Sequence, residues 1–153
     1  MHLDQIILTD YLHLLKTKKV DGRNYLFDPI RKNWYLLQPE EFVRQLWIVF
    51  LTKNLSFPRN RISVEKEFKV HTIKKRYDLV LYTSTFQPWL LIECKSSQVK
   101  IDEKVWLQAS HYNVALQVPY LVLSNGSHHV CLHVDYENQK FNQENQLPFW
   151  DKE

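Results

Sequence analysis

Three residues whose types and spacing suit phosphoryl chemistry stand close together in the chain: Asp78, and then Glu93 and Lys95 within Glu93-Cys94-Lys95. Side chains alternate along a strand, so Glu93 and Lys95 point to one face of WLLIECK and Cys94 to the other. Asp78 lies on the preceding segment RYDLVLY, on the face it shares with Val80 and Tyr82, and a hairpin pairing brings it beside Glu93. Both segments are otherwise nearly apolar, where a charge costs several kcal/mol unless it is paired or binds metal. Two adjacent carboxylates repel one another. A hard cation with oxygen ligands, such as Mg²⁺, relieves that repulsion while orienting water and phosphate. The Lys95 ammonium then holds the attacking water or stabilises charge on phosphorus. The alternative is a structural ion pair at a strand end.

These residues need strands and helices to position them. Pro39-Glu40-Glu41 suits a helix first turn, and Val43, Leu46, Trp47, Phe50 and Leu51 continue a helical stripe to Asn54. Glu40 lies on the stripe of Val43 and Trp47, with Glu41 one position round. Ile62, Val64, Phe68 and Val70 alternate with polar residues as in a half-exposed strand. Lys74, Lys75 and Arg76 lead into RYDLVLY, TSTFQP separates it from WLLIECK, and both apolar runs read as central strands covered on two faces. A second helix over Ile101–Leu116 places Val105, Ala109, Tyr112 and Leu116 on one stripe shared by Gln108. YLVLS, an Asn125-Gly126 turn and HHVCLHV, with Val130, Leu132 and Val134 inward, complete two more strands. Residues 1–35 read as a preamble, helix-like to residue 16 and then a polar linker with Asp21, Gly22, Asn24 and Pro29; residues 36–153 hold the main fold. The class is α/β (α+β), a central mixed sheet flanked by helices.

An acid on one strand followed by (D/E)-x-K on the next resembles the PD-(D/E)XK nucleases, with Asp78 and Glu93-Cys94-Lys95 in the motif positions. More narrowly, PEEFVRQ, KKRYDLVLY, LLIECKSS, QASHY and YLVLSNG resemble the nuclease domain at the N-terminus of type I restriction enzyme motor subunits, over roughly residues 36 to 135. The resemblance implies a restriction-endonuclease-like core and a Mg²⁺-dependent deoxyribonuclease, with Mn²⁺ as a substitute ion. It implies further that Gln108 and Tyr112 support the site as a Q-x-x-x-Y motif, that the Cys94 backbone carbonyl is a metal ligand, and that Glu40 or Glu41 faces the metal. The family's namesake proline is replaced by Tyr77, a position that varies among its members. The ATP-driven translocase of those subunits has no counterpart here, so the expected unit is the nuclease module alone, with a translocase or specificity subunit acting in trans. An RNA-directed nuclease and a non-enzymatic nuclease-like binding module are the competing readings.

Composition sets the outer limits. A 153-residue chain with 44% hydrophobic and 14% aromatic residues can bury a core of its own. Gly22 and Gly126 are its two glycines, which excludes a Walker loop and a GxGxxG fingerprint, and no GxSxG elbow occurs. Cys94 and Cys131 are too few for a disulfide framework and the N-terminus lacks a long apolar run, so a cytoplasmic protein without membrane spans is expected. The net charge of +3 is compatible with DNA as partner if the cations cluster. Lys74, Lys75 and Arg76, just before Asp78, are the candidate phosphate contacts. His129, Cys131 and His133 spread over more than ~10 Å along one strand face, too wide for one zinc ion. Cutting both strands at one place would suggest a homodimer, because one site cuts one strand at a time.

Overall fold

The computed structural model describes residues 1–70, 73–107 and 116–150. After two short 3₁₀ turns, Leu3–Gln5 and Leu8–Leu14, come three antiparallel strands: β1 (Thr17–Val20), β2 (Arg23–Asp28) and β3 (Asn33–Leu36). Helix α1 (Pro39–Val49) follows, continued by a π-helical turn over Phe50–Asn54 in which Thr52 Oγ1 donates to the Ile48 carbonyl at 2.7 Å. Six strands then form one sheet in chain order: β4 (Ile62–Val70), β5 (Ile73–Tyr82), β6 (Pro88–Cys94), β7 (Tyr120–Ser124), β8 (His129–Asp135) and β9 (Lys140–Glu144). Neighbours are antiparallel except β6 and β7, so residues 95–119 cross over between parallel strands. Residues 103–107 in this crossover are helical, as expected; the rest of the expected helix, with Gln108 and Tyr112, lies outside the described residues.

The apolar runs of β5 and β6 are covered on both faces. Leu79, Leu81, Leu90 and Ile92 pack with Val43, Leu46, Trp47 and Phe50 of the α1 side, while Val80, Tyr82 and Leu91 pack with Leu121, Leu123 and the crossover residues Val105 and Trp106. β8 serves both layers too: Cys131 belongs to the first and Leu132 to the second, so inward residues are not confined to one alternating set.

One irregularity bears directly on the site. Tyr77 packs with Val80 and Tyr82, whereas Leu79 and Leu81 face α1, so the alternation of β5 reverses at Asp78. Across from it Glu65 takes a left-handed conformation, φ 49°, although the register is the same on either side, with Val64 opposite Leu79 and Lys66 opposite Tyr77. Lys66 consequently reaches the Tyr82 hydroxyl at 3.0 Å, on the layer opposite to that of Val64.

The mixed α+β class agrees with the sequence, and three local expectations are corrected. The polar linker is the sheet β1–β3, whose first turn is Asp21-Gly22 at φ 48° and 77°, as a tight hairpin requires. Residues 1–16 form 3₁₀ turns that bury Leu3, Ile6 and Leu8 and leave Ile7, Leu12 and Leu14 exposed, so their apolar spacing does not make an α-helix. β9 is an additional edge strand, too polar to announce itself. The Asn125-Gly126 turn is present, with Gly126 at φ 96° and so close to α1 that a Cβ there would lie 3.2 Å from Val43 Cγ2. Among the described residues no helix is long and apolar enough to cross a membrane.

Candidate active site

The β5–β6 register pairs Leu79 with Ile92, and one step further along it Asp78 meets Glu93. There the ladder gives way to side-chain bonding: the Cys94 N–H donates to Asp78 Oδ2 at 2.8 Å. Asp78 Oδ1 accepts from Arg44 Nη2 of α1 at 2.5 Å. The reversal of β5 thus turns Asp78 toward α1 as well as toward Glu93, instead of placing it simply on the face of Val80 and Tyr82.

Glu93 is half-buried, and its carboxyl is pushed up to about 8. Burial is the main cause, and the charge of Asp78 with the hydrogen bond between the two carboxyls adds to it; Lys95 and Arg44 work in the opposite direction. At neutral pH the Asp78–Glu93 pair therefore retains a proton. Lys95, half-buried two residues along, is close enough to favour the ionised form of Glu93, and its N–H is fixed by a 2.7 Å bond to the Ser124 carbonyl of β7. The Cys94 side chain is buried on the α1 side, where burial, with Asp78 next, holds its thiol well above the ordinary range and therefore unreactive.

A second layer of charge surrounds this pair. Arg44, 6% exposed, also donates to Glu41 Oε2 at 2.5 Å. Arg31, from the β2–β3 turn, contacts Asp28 at 2.6 Å, Glu41 at 2.5 Å and Glu65 at 2.7 Å. Gln45 Nε2 donates to both Asp28 and Glu41 at 2.9 Å, and its buried Oε1 has no partner among the described residues. Burial opposes the charge on both arginines, but the carboxylates outweigh it, Asp78 and Glu41 for Arg44 and Glu41 and Asp28 for Arg31, so both stay firmly protonated. Of the two first-turn acids, Glu41 is buried in this network and Glu40 is exposed. Lys74, Lys75 and Arg76 lie within β5 rather than before it; the Lys74 and Lys75 side chains are outside the described set, and Arg76 is 62% exposed with a contact to Glu65 at 3.5 Å.

The donor set fits a hard cation in kind. Asp28, Glu41, Glu65, Asp78 and Glu93 are five carboxylates against four cations, Arg31, Arg44, Arg76 and Lys95, so full ionisation leaves one negative charge uncompensated, which the proton on the Asp78–Glu93 pair removes. Among the described residues no three His, Cys, Asp or Glu side chains converge at metal-binding spacing. Mg²⁺ commonly takes only one or two carboxylates and completes its shell with water and phosphate, which two facing acids can serve.

Residues 39–148 match the family model for the type I restriction enzyme R protein N-terminus (HSDR_N). The chain belongs to this family. The HSDR_N match takes in α1 and the whole six-stranded sheet, hence Glu41, Arg44, Glu65, Asp78, Glu93 and Lys95. Among solved structures, the chain is similar to a fragment described as an HsdR subunit of a type I restriction enzyme from Vibrio vulnificus, with a TM-score of 0.50 and 21% sequence identity over 73% of this chain. That similarity supports the fold. The chain spans 24% of the length of that structure's chain. No curated protein matches it.

Sequence reasoning missed Asp28, Arg31, Arg44, Gln45 and Glu65 as parts of the site. Arg44 and Gln45 stand three and four positions after Glu41, a polar stripe on an otherwise apolar helix that should have stood out. Glu65 gave no such signal: alternation along β4 reads it as solvent-facing, and only the reversal brings it to Arg31 and Arg44.

Proposed function

We propose that this HSDR_N chain is a Mg²⁺-dependent nuclease that hydrolyses DNA phosphodiester bonds, most simply as an endonuclease. The observation that carries the reading is the half-buried Glu93, holding a proton against Asp78 with Lys95 beside it: two acids forced together that a divalent cation would relieve. Asp78, Glu93 and the Cys94 backbone carbonyl would hold the ion, with Mn²⁺ as a substitute. Once bound, it supplies Lewis-acid polarisation of the phosphate and a more acidic water. Lys95 would orient the attacking water and offset charge developing on the phosphate. Arg44 and the Cys94 N–H hold the Asp78 carboxylate in place, and Glu41 holds Arg44. Gln108 and Tyr112 would support the site from the crossover, and Lys74, Lys75 and Arg76 would meet phosphates from β5. A translocase or specificity subunit acting in trans would choose the target, and a homodimer would cut both strands.

The test is Mg²⁺-dependent cleavage of supercoiled, linear and single-stranded DNA, with an RNA arm, by wild type and Lys95→Ala. Wild type is expected to cut DNA and the variant to lose at least about a hundredfold in rate, the scale of one electrostatic catalytic group. Equal cutting by both, or none by wild type, overturns the reading. One observation favours a second reading, a nuclease-like binding module: Arg44 already supplies Asp78 with a cation. Mg²⁺ titration separates the two, since a binding module has no metal affinity that disappears in Asp78→Ala.

A further inference from the structure

The sheet β1–β3 has two chemically opposite faces. Leu26 and Asp28 of β2 turn inward and are buried. On the outer face the register sets Lys18 beside Tyr25 and Phe27 beside Trp34, and period two adds Lys16 and Arg23. Lys16, Lys18 and Arg23 are exposed, and Tyr25, Phe27 and Trp34 half-buried between them. Lys18 Nζ lies 4.5 Å from the Trp34 ring centre, and Lys16 Nζ 5.8 Å from that of Phe27. Among the described residues no acidic side chain occupies this face.

A groove of about 480 Å³ continues from it. Lys16 and Phe27 form its near wall, Lys32, Lys53 and Arg59 supply further cations, and none of its lining residues is acidic. Face and groove together carry six cations, Lys16, Lys18, Arg23, Lys32, Lys53 and Arg59, along one continuous surface. The groove's Val49 lies eight residues along α1 from Glu41, about 12 Å at the helical rise.

We infer that the outer face of β1–β3 and the adjoining groove bind a single strand of nucleic acid, its phosphates on the cations and its bases on the rings of Tyr25, Phe27 and Trp34. Cations alternating with aromatic faces are the chemistry of single-strand platforms, and a groove of this size takes one backbone rather than a duplex. The inference rests on the nuclease reading only for where the strand leads, which is the site at the other end of α1; binding itself needs neither metal nor cleavage.

The test is fluorescence anisotropy of a labelled oligothymidylate, in chelator, with the full chain and with Lys16→Glu/Lys18→Glu/Arg23→Glu, whose positions are exposed and leave the core untouched. Affinity is expected to fall at least tenfold. The log–log salt slope should become shallower by about 2, near 0.7 per lost phosphate contact. Lys140→Glu on the edge strand β9 should change affinity less than twofold, and Trp34→Ala should weaken the single strand more than a duplex. Unchanged binding by the triple variant, an equal loss in Lys140→Glu, or a duplex preference unaffected by Trp34→Ala overturns the inference. If the face variant alone loses the oligonucleotide while wild type never cuts DNA, the surface stands and the nuclease reading falls; if wild type cuts and both proteins bind alike, the surface falls and the nuclease reading stands.

Discussion

Arg44 donates to Asp78 Oδ1 and to Glu41 Oε2, both at 2.5 Å, so the carboxylate at the centre of the site leans on a buried cation from α1. Removing one member of such a pair leaves uncompensated charge out of water. Arg44→Met is expected to lower the unfolding free energy by roughly 3–5 kcal/mol in urea titrations at neutral pH. Arg44→Lys should recover part of that, keeping the charge but losing the fork that reaches two acids at once. A loss of less than about 1 kcal/mol in Arg44→Met would mean the network behaves as a surface one.

Glu93 gives metal binding a direction with pH. Its folded value of about 8 stands above the ordinary 4.5, so its contribution to stability is complete below about 4.5 and is lost as pH rises through 8. A cation held by both carboxylates must displace the retained proton. Calorimetry in buffers of different ionisation enthalpy should therefore show close to one proton released per Mg²⁺ near neutral pH and almost none well above 8. Affinity should climb by up to about tenfold per pH unit until that point. Affinity independent of pH from 6 to 8 would contradict the paired-acid site.

Glu65 isolates the cost of the reversed strand. Glu65→Gly and Glu65→Ala both delete the contacts to Arg31 and Arg44, but only glycine adopts φ 49° freely. The glycine variant should be the more stable by about 1 kcal/mol in paired denaturation curves. Equal stability would show that the chain relaxes to regular β-structure once the carboxylate is gone.

His129 is expected to contribute acid sensitivity. Its Nε2–H donates to the Ile6 carbonyl at 3.2 Å and Ser124 Oγ donates to its Nδ1 at 2.8 Å, a fully used neutral imidazole. Burial, only partly opposed by the Ile6 bond, lowers its affinity for a proton. The contribution is whole above the ordinary 6.5 and is lost as pH falls toward the depressed folded value. Unfolding curves between pH 7.5 and 5.5 should show declining stability, with a smaller decline in His129→Gln. A decline of the same size in that variant would assign the acid sensitivity elsewhere.

What could be read from the residues follows from the range of each signal. The apolar runs around Asp78 and Glu93 and the stripe Val43, Leu46, Trp47 and Phe50 report burial against a large core, and these segments are buried as their patterning predicts, although the reversal at Asp78 turns that side chain toward α1. The sheet β1–β3 is less legible because its strands are only four to six residues long and bury only Leu26 and Asp28; its one strong cue, Asp21-Gly22, is of the same kind as the Asn125-Gly126 turn. The contacts of Arg31 and Glu65 depend on a left-handed residue inside a strand and on a partner 34 positions away, and no local pattern encodes either.

Arg31 also redraws the smallest piece of this chain that can be expected to work alone. The family match begins at residue 39, yet the guanidinium that neutralises Glu41 and Glu65 comes from residue 31, oriented by Asp28 and lying 3.3 Å over the Tyr35 ring. An expression fragment cut at the family boundary would keep Asp78, Glu93 and Lys95 while stripping two carboxylates of a counter-ion. Inactivity of such a fragment would report a misplaced cut, and an engineer transplanting this module should carry the three small strands with it.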